Sequence, residues 1–109
     1  MKIDFSQLKE ITVPHMNGGT GECRAKMYMD KSGKIIWSVL PKGSSIGTHL
    51  QKTSNDVNYI VSGECKCIDN GVEEHLKAGD VHYCPKGHEH SIINTGDDDL
   101  VLFSVVTEL

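Results

Sequence analysis

The stretch from Gly79 to Asn94, Gly-Asp-Val-His-Tyr-Cys-Pro-Lys-Gly-His-Glu-His-Ser-Ile-Ile-Asn, leaves few folds open. Gly79 lets the chain reverse with a positive φ. Pro85 has no amide hydrogen for a ladder, so it ends one strand, and Gly87 opens the turn to the next. The runs between these breaks, Val81–Cys84 and Ser91–Asn94, have strand length. His90 falls just inside the second run, where a side chain can point into a barrel.

The same punctuation continues upstream and downstream. Glu22–Asp30 has the length of a strand and is closed by Lys31-Ser32-Gly33. Lys34–Leu40 carries Ile35, Ile36, Trp37, Val39 and Leu40 and stops at Pro41. Val57–Val61 is followed by Gly63, and Leu100–Val106 is the last apolar run. Glu64–Ile68 and Val72–Leu76 flank Asp69-Asn70-Gly71, and Asn-Gly between two strands is the strongest short-range hairpin signal. No segment holds a helical period over three turns. Short strands at regular spacing predict an all-β sandwich or barrel. Residues 1–21 read as an irregular N-terminal arm, with one short helical turn at Ser6–Glu10 and a loop at Asn17–Gly21. Residues 22–109 read as the barrel domain.

A chain of 109 residues has room for one domain and one modest core. Its formal charge is −4 and Arg24 is its only arginine, so it lacks the basic face that nucleic acid needs. The run Asp97-Asp98-Asp99 after Gly96 reads as a solvated turn. No apolar run approaches the ~20 residues of a membrane helix, and the N-terminus lacks a signal-peptide core. A cytoplasmic location with no membrane partner follows as the expectation. The four cysteines fit free thiols in a reducing compartment, since Cys65 and Cys67 are not a C-x-x-C pair and Cys23 and Cys84 are isolated.

Written as G-x5-P-x-G-x2-H-x3-N, the stretch from Gly79 to Asn94 resembles the second sequence motif of the cupin superfamily at all five marked positions. A candidate for the first motif, G-x5-H-x-H-x3,4-E-x6-G, runs from Gly43 to Gly63. Gly43, His49 and Gly63 match it. Gln51 stands at the place of the second histidine and Asp56 at the place of the glutamate. The two motifs cover about half of the chain. The resemblance implies a single-domain jelly-roll barrel, the double-stranded β-helix, with a pocket at one mouth. It also implies one divalent metal, Fe, Mn, Ni or Zn, held by His49, Gln51, Asp56 and His90. Small proteins of this kind pair through outer sheet surfaces, so a homodimer is expected.

Residues two apart on a strand share a face. His49 and Gln51 therefore project together, and Asn58 and Ile60 share the side of Asp56. Asn58, Ile60 and His88 are accordingly candidate substrate contacts, with His88 at the pocket rim. His75 and His82 read as surface or strand-packing residues, and Trp37, Tyr83 and Phe103 as core or interface. Without Gln51 the set is two histidines and one carboxylate, which resembles the facial triad of non-haem iron oxygenases. The expected function is a metal-dependent enzyme of oxygenase, isomerase or lyase type acting on a small polar organic molecule. The alternative is a binding or sensing protein without turnover, and no catalytic residue is assigned. No helix-turn-helix segment accompanies the barrel, which argues against a DNA-binding regulator.

Overall fold

Along β5 (Ser54–Ser62) every second residue from Ser54 to Ile60 is buried, and β10 (Leu100–Glu108) repeats this from Leu100 to Ser104. This is the alternation of a sheet with one face turned to a core. The computed structural model describes residues 1–109. The other strands are β1 (Ile11–Pro14), β2 (Glu22–Asp30), β3 (Gly33–Leu40), β4 (Ser45–Leu50), β6 (Glu64–Asp69), β7 (Val72–Lys77), β8 (Val81–Cys84) and β9 (Glu89–Asn94). Two single 3-10 turns, Phe5–Gln7 and Met16–Gly18, complete the elements.

The strands form a six-stranded sheet, β1-β2-β3-β10-β5-β8, and a four-stranded sheet, β4-β9-β6-β7. All pairings are antiparallel. The two inner faces enclose the core of a jelly-roll barrel. The expected breaks carry the turns. Asn70 and Gly71 both have positive φ, 45° and 81°, as a two-residue hairpin of the I′ kind requires.

The inner surface divides along the strands. Leu40, Ile60, Leu100 and Leu102 are fully or almost fully buried and pack with Cys65, Cys67 and Ile92. Two residues further along, β5 and β10 present Asn58 opposite Ser104, both buried. Asp56, Ser54, Gln51 and His90 are also buried. One end of the barrel is thus an apolar core, and the other is lined with buried polar groups.

The outer face of the larger sheet is unusually apolar. In register across β3, β10, β5 and β8 run Trp37, Phe103, Tyr59 and Val81, and beside them Ile35, Val105, Val57 and Tyr83. Phe5 from the N-terminal segment packs against Trp37 and, edge-on, against Phe103, with ring centroids 5.9 and 6.3 Å away. Tyr59, Val81 and Tyr83 stay 43–55 % exposed. No helix is long and apolar enough to cross a membrane.

The N-terminal segment departs from the expected irregular arm. Ile11–Pro14 pairs with β2 as an edge strand, where Pro14 at its end costs no interior ladder bond. The short helical turn falls at Phe5–Gln7, with the Asp4 side chain accepting from the Ser6 amide at its start.

Candidate metal centre

A bulge in β4 aims the first histidine. Ile46 lies opposite Ile92, but His49 lies opposite His90, so β4 spends three steps where β9 spends two. The extra residue returns His49 to the inward face that Ile46 occupies. Gly47 sits in the bulge, and a Cβ there would collide with the Asn17 carbonyl and approach the Gly19 amide. Only glycine lets the Met16–Gly18 turn lie this close to β4.

Three donors meet at the polar end. His49 Nε2 and His90 Nε2 are 3.0 Å apart, and Asp56 Oδ2 is 3.2 Å from His90 Nε2. One ligand atom from each of the three residues lies within 4.8 Å of the others. Asp56 comes from the opposite sheet, so the centre ties β4 and β9 to β5. His49 Nδ1 is 2.8 Å from the Gly47 carbonyl oxygen, which can only accept, so Nδ1 carries the hydrogen and Nε2 a lone pair. Asp56 Oδ1 is buried with no hydrogen-bond partner. Acceptor atoms this close repel one another unless a proton or a cation lies among them. The 3.0 Å between the imidazole nitrogens is the spacing of two ligands about 2.1 Å from one ion at a right angle. The donor set therefore fits a divalent metal.

Gln51, just beyond β4, is 8 % exposed and lines the same cavity. Its Nε2 donates to Ser54 Oγ at 3.1 Å, which leaves Oε1 uncommitted. Asn58 accepts a 2.6 Å bond from Ser104 Oγ on its Oδ1, while its Nδ2 is buried without a partner. These groups and His49 open on a cavity of about 360 Å³ whose other walls include Ile11, Val13, Met27 and Ile36. Lys34 is the one cation of the lining and Glu108 its second carboxylate.

Two expected contacts lie elsewhere. Ile60 has the side expected of it, but it is fully buried in the apolar core and does not line the cavity. His88 lies outside the lining, with its Nδ1 2.7 Å from Asp69 Oδ1. His82 departs from the surface or packing role expected of it. It points inward from β8, is 1 % exposed, and places Nε2 2.9 Å from His90 Nδ1. Its own Nδ1 is 2.7 Å from Glu74 Oε1. His75 is exposed, as expected.

All four cysteines are free and buried. Cys84 lies opposite Asp56 in the β5–β8 ladder. Burial, with the negative charges of Asp69 and Asp56, pushes its thiol up to about 12, so it stays neutral. Burial raises the Cys23 thiol as well.

The sequence model of the Cupin domain matches residues 36–106. An oxalate-binding protein of Thermotoga maritima is 34 % identical over 112 residues, covering 97 % of this chain and 93 % of that protein. A Thermotoga maritima crystal structure described as a predicted oxalate decarboxylase superposes with a TM-score of 0.93 at 33 % identity, covering all of both chains. An RmlC-like cupin of Shewanella frigidimarina shares the fold, with a TM-score of 0.81 at 18 % identity over 98 % of this chain and 89 % of that one.

Proposed function

The chain belongs to the cupin family, and from that premise we propose that it binds one divalent metal and, beside it, a small carboxylic acid. His49, Asp56 and His90 would hold the ion, with Gln51 Oε1 as a fourth, weaker donor. Imidazole and carboxylate donors suit Fe²⁺, Mn²⁺, Ni²⁺ and Zn²⁺ alike. The observation that carries the reading is the meeting of His49 Nε2, His90 Nε2 and Asp56 Oδ2 at the end of a cavity of about 360 Å³. A cavity of this size admits only a small ligand.

The chain's own groups favour an anion. Lys34 supplies positive charge to the cavity, and Asn58 Nδ2 is a buried donor that a carboxylate oxygen would satisfy. A bound divalent ion would supply Lewis acidity toward carboxylate or carbonyl oxygens. The Thermotoga relative described as oxalate-binding makes oxalate the first ligand to test. The experiment is calorimetric titration of oxalate into metal-loaded and chelated protein. Binding should require metal and should vanish in His90→Ala. Equal binding by the chelated protein would overturn the reading, as would failure of the loaded protein to bind oxalate or any other small dicarboxylate.

Turnover is the second reading. Two imidazoles and one carboxylate leave coordination positions for substrate or O₂, which favours oxygenase, isomerase or decarboxylase chemistry over mere storage. Consumption of O₂ or release of CO₂ by the loaded protein separates these from binding alone. The apolar outer rows from Trp37 to Val81 and from Ile35 to Tyr83 support a homodimer through the six-stranded sheet. A cytoplasmic setting suits the four free thiols.

A further inference from the structure

We propose that Glu74 and His82 act as a positioning relay that sets the ring tautomer and orientation of His90, and through it the metal affinity of the site. The proposal rests on the metal-binding reading above. It begins at the barrel surface, where the Glu74 side chain is 48 % exposed. An ionised carboxylate can only accept hydrogen bonds. Its 2.7 Å contact with His82 therefore puts a hydrogen on His82 Nδ1. In a neutral imidazole the other nitrogen then carries a lone pair, so His82 Nε2 must accept across the 2.9 Å to His90 Nδ1. His90 donates from Nδ1, and its Nε2 is left with the lone pair that faces His49 and Asp56. One surface carboxylate thus dictates which nitrogen of a fully buried ring is free to bind a cation.

The packing is consistent with a device that holds an angle. His82 and His90 lie nearly parallel, with centroids 5.2 Å apart and an interplanar angle of 24°. Both side chains are 0 % exposed, so no water competes for His82 Nε2. The relay also crosses between the sheets. Glu74 is on β7 and His90 on β9 of the smaller sheet, while His82 is on β8 of the larger. A histidine so placed serves no pairing need of its own strand, and both of its buried nitrogens are engaged, which compensates its burial and fixes the ring. His49 reaches the same result by a shorter route, through the Gly47 carbonyl. Each histidine of the centre has its outer nitrogen committed to a fixed acceptor. Partners of this kind orient a ligating imidazole and raise its basicity.

The test uses His82→Ala, Glu74→Ala and Glu74→Gln in the full chain. In metal-free wild type, about two units above the ordinary imidazole pKa, long-range ¹H–¹⁵N NMR should show His90 with hydrogen on Nδ1 and a bare Nε2. Calorimetry with Zn²⁺ and with Mn²⁺ should show affinity falling about 10–100-fold in His82→Ala. Glu74→Ala should weaken binding less and mix the His90 tautomers. Glu74→Gln, whose amide oxygen still accepts from His82, should restore both readouts. If His82→Ala does not fold, the Glu74 pair, changed at a half-exposed position, carries the test alone. A hydrogen on His90 Nε2 in wild type overturns the proposal. So does a folded His82→Ala protein that binds both ions within twofold of wild type, or a Glu74→Ala protein indistinguishable from wild type in both readouts. If wild type binds neither ion, the metal reading fails separately, and the NMR result still decides the relay's control of the tautomer.

Discussion

Replacing Asn94 by alanine should be among the most damaging single changes to this barrel while leaving the metal centre intact. Asn94 is 6 % exposed at the end of β9. Its Nδ2 donates to the carbonyls of Leu40 and Asp98, each at 2.9 Å, and its Oδ1 accepts from the Gly96 amide at 2.9 Å. One side chain therefore fastens the acidic turn to the end of β3. Each bond is worth about 1 kcal/mol net, and the Leu40 carbonyl, in a residue with no exposed surface, would be left without this donor. The three losses together come to about 2–4 kcal/mol, a large part of the ~5–15 kcal/mol that holds a domain folded. The midpoint of thermal unfolding should fall by about 10–25 °C. Urea unfolding with an unchanged m-value and scanning calorimetry would measure it, and Zn²⁺ affinity serves as the control. Asn94→Asp keeps the acceptor for Gly96 but turns carboxylate oxygen toward two carbonyls, so it should be at least as destabilising at neutral pH. A loss below about 1 kcal/mol in Asn94→Ala, or a matching loss of metal affinity, would refute this account of the residue.

Loading with metal at about 100 times the dissociation constant should add about 2.7 kcal/mol, and a chelator should reverse the gain in the melting temperature. Asp56→Asn should bind the ion far more weakly but melt no lower than metal-free wild type, since it removes a buried carboxylate whose Oδ1 has no partner. Tyr59→Lys places a charge in the middle of the outer apolar row, between Phe103 and Val81, and should shift the protein to monomer by light scattering with little change in metal affinity. Iodoacetamide at pH 8 should leave Cys23 and Cys84 unmodified in the native protein and label them once it is unfolded, because burial both shields these thiols and keeps them protonated.

Turn chemistry was the most legible part of the fold. Gly63, Gly79 and Gly87 all have positive φ, and the strands between the breaks fall close to their expected limits, with Glu22–Asp30 and Val81–Cys84 unchanged. The strand Ile11–Pro14 was not legible, because a four-residue run ending in proline becomes a strand only when β2 offers it an edge. At the site, the resemblance to the two cupin motifs named His49, Asp56 and His90, and the structure brings the three together. Alternation located Ile60 on the right face but not at the right depth. Period-two patterning says which way a side chain points, not how far along the barrel it lies. His82 escaped for a related reason. Its partners, Glu74 and His90, belong to the opposite sheet, and no sequence period records a contact between sheets.

The division of the barrel interior separates two selective pressures that most small domains must satisfy with the same residues. Leu40, Ile60, Leu100 and Leu102 anchor the fold at one end, while Asp56, Asn58 and Ser104 occupy the other. Asp56 and Asn58 each hold a buried polar atom with no partner in the protein, so under the proposed function the polar end serves a guest rather than cohesion. Changes there can redirect what is bound without loosening the barrel, and some should tighten it. One stretch of strand is thus free to drift in chemistry while the next, two residues away, is not.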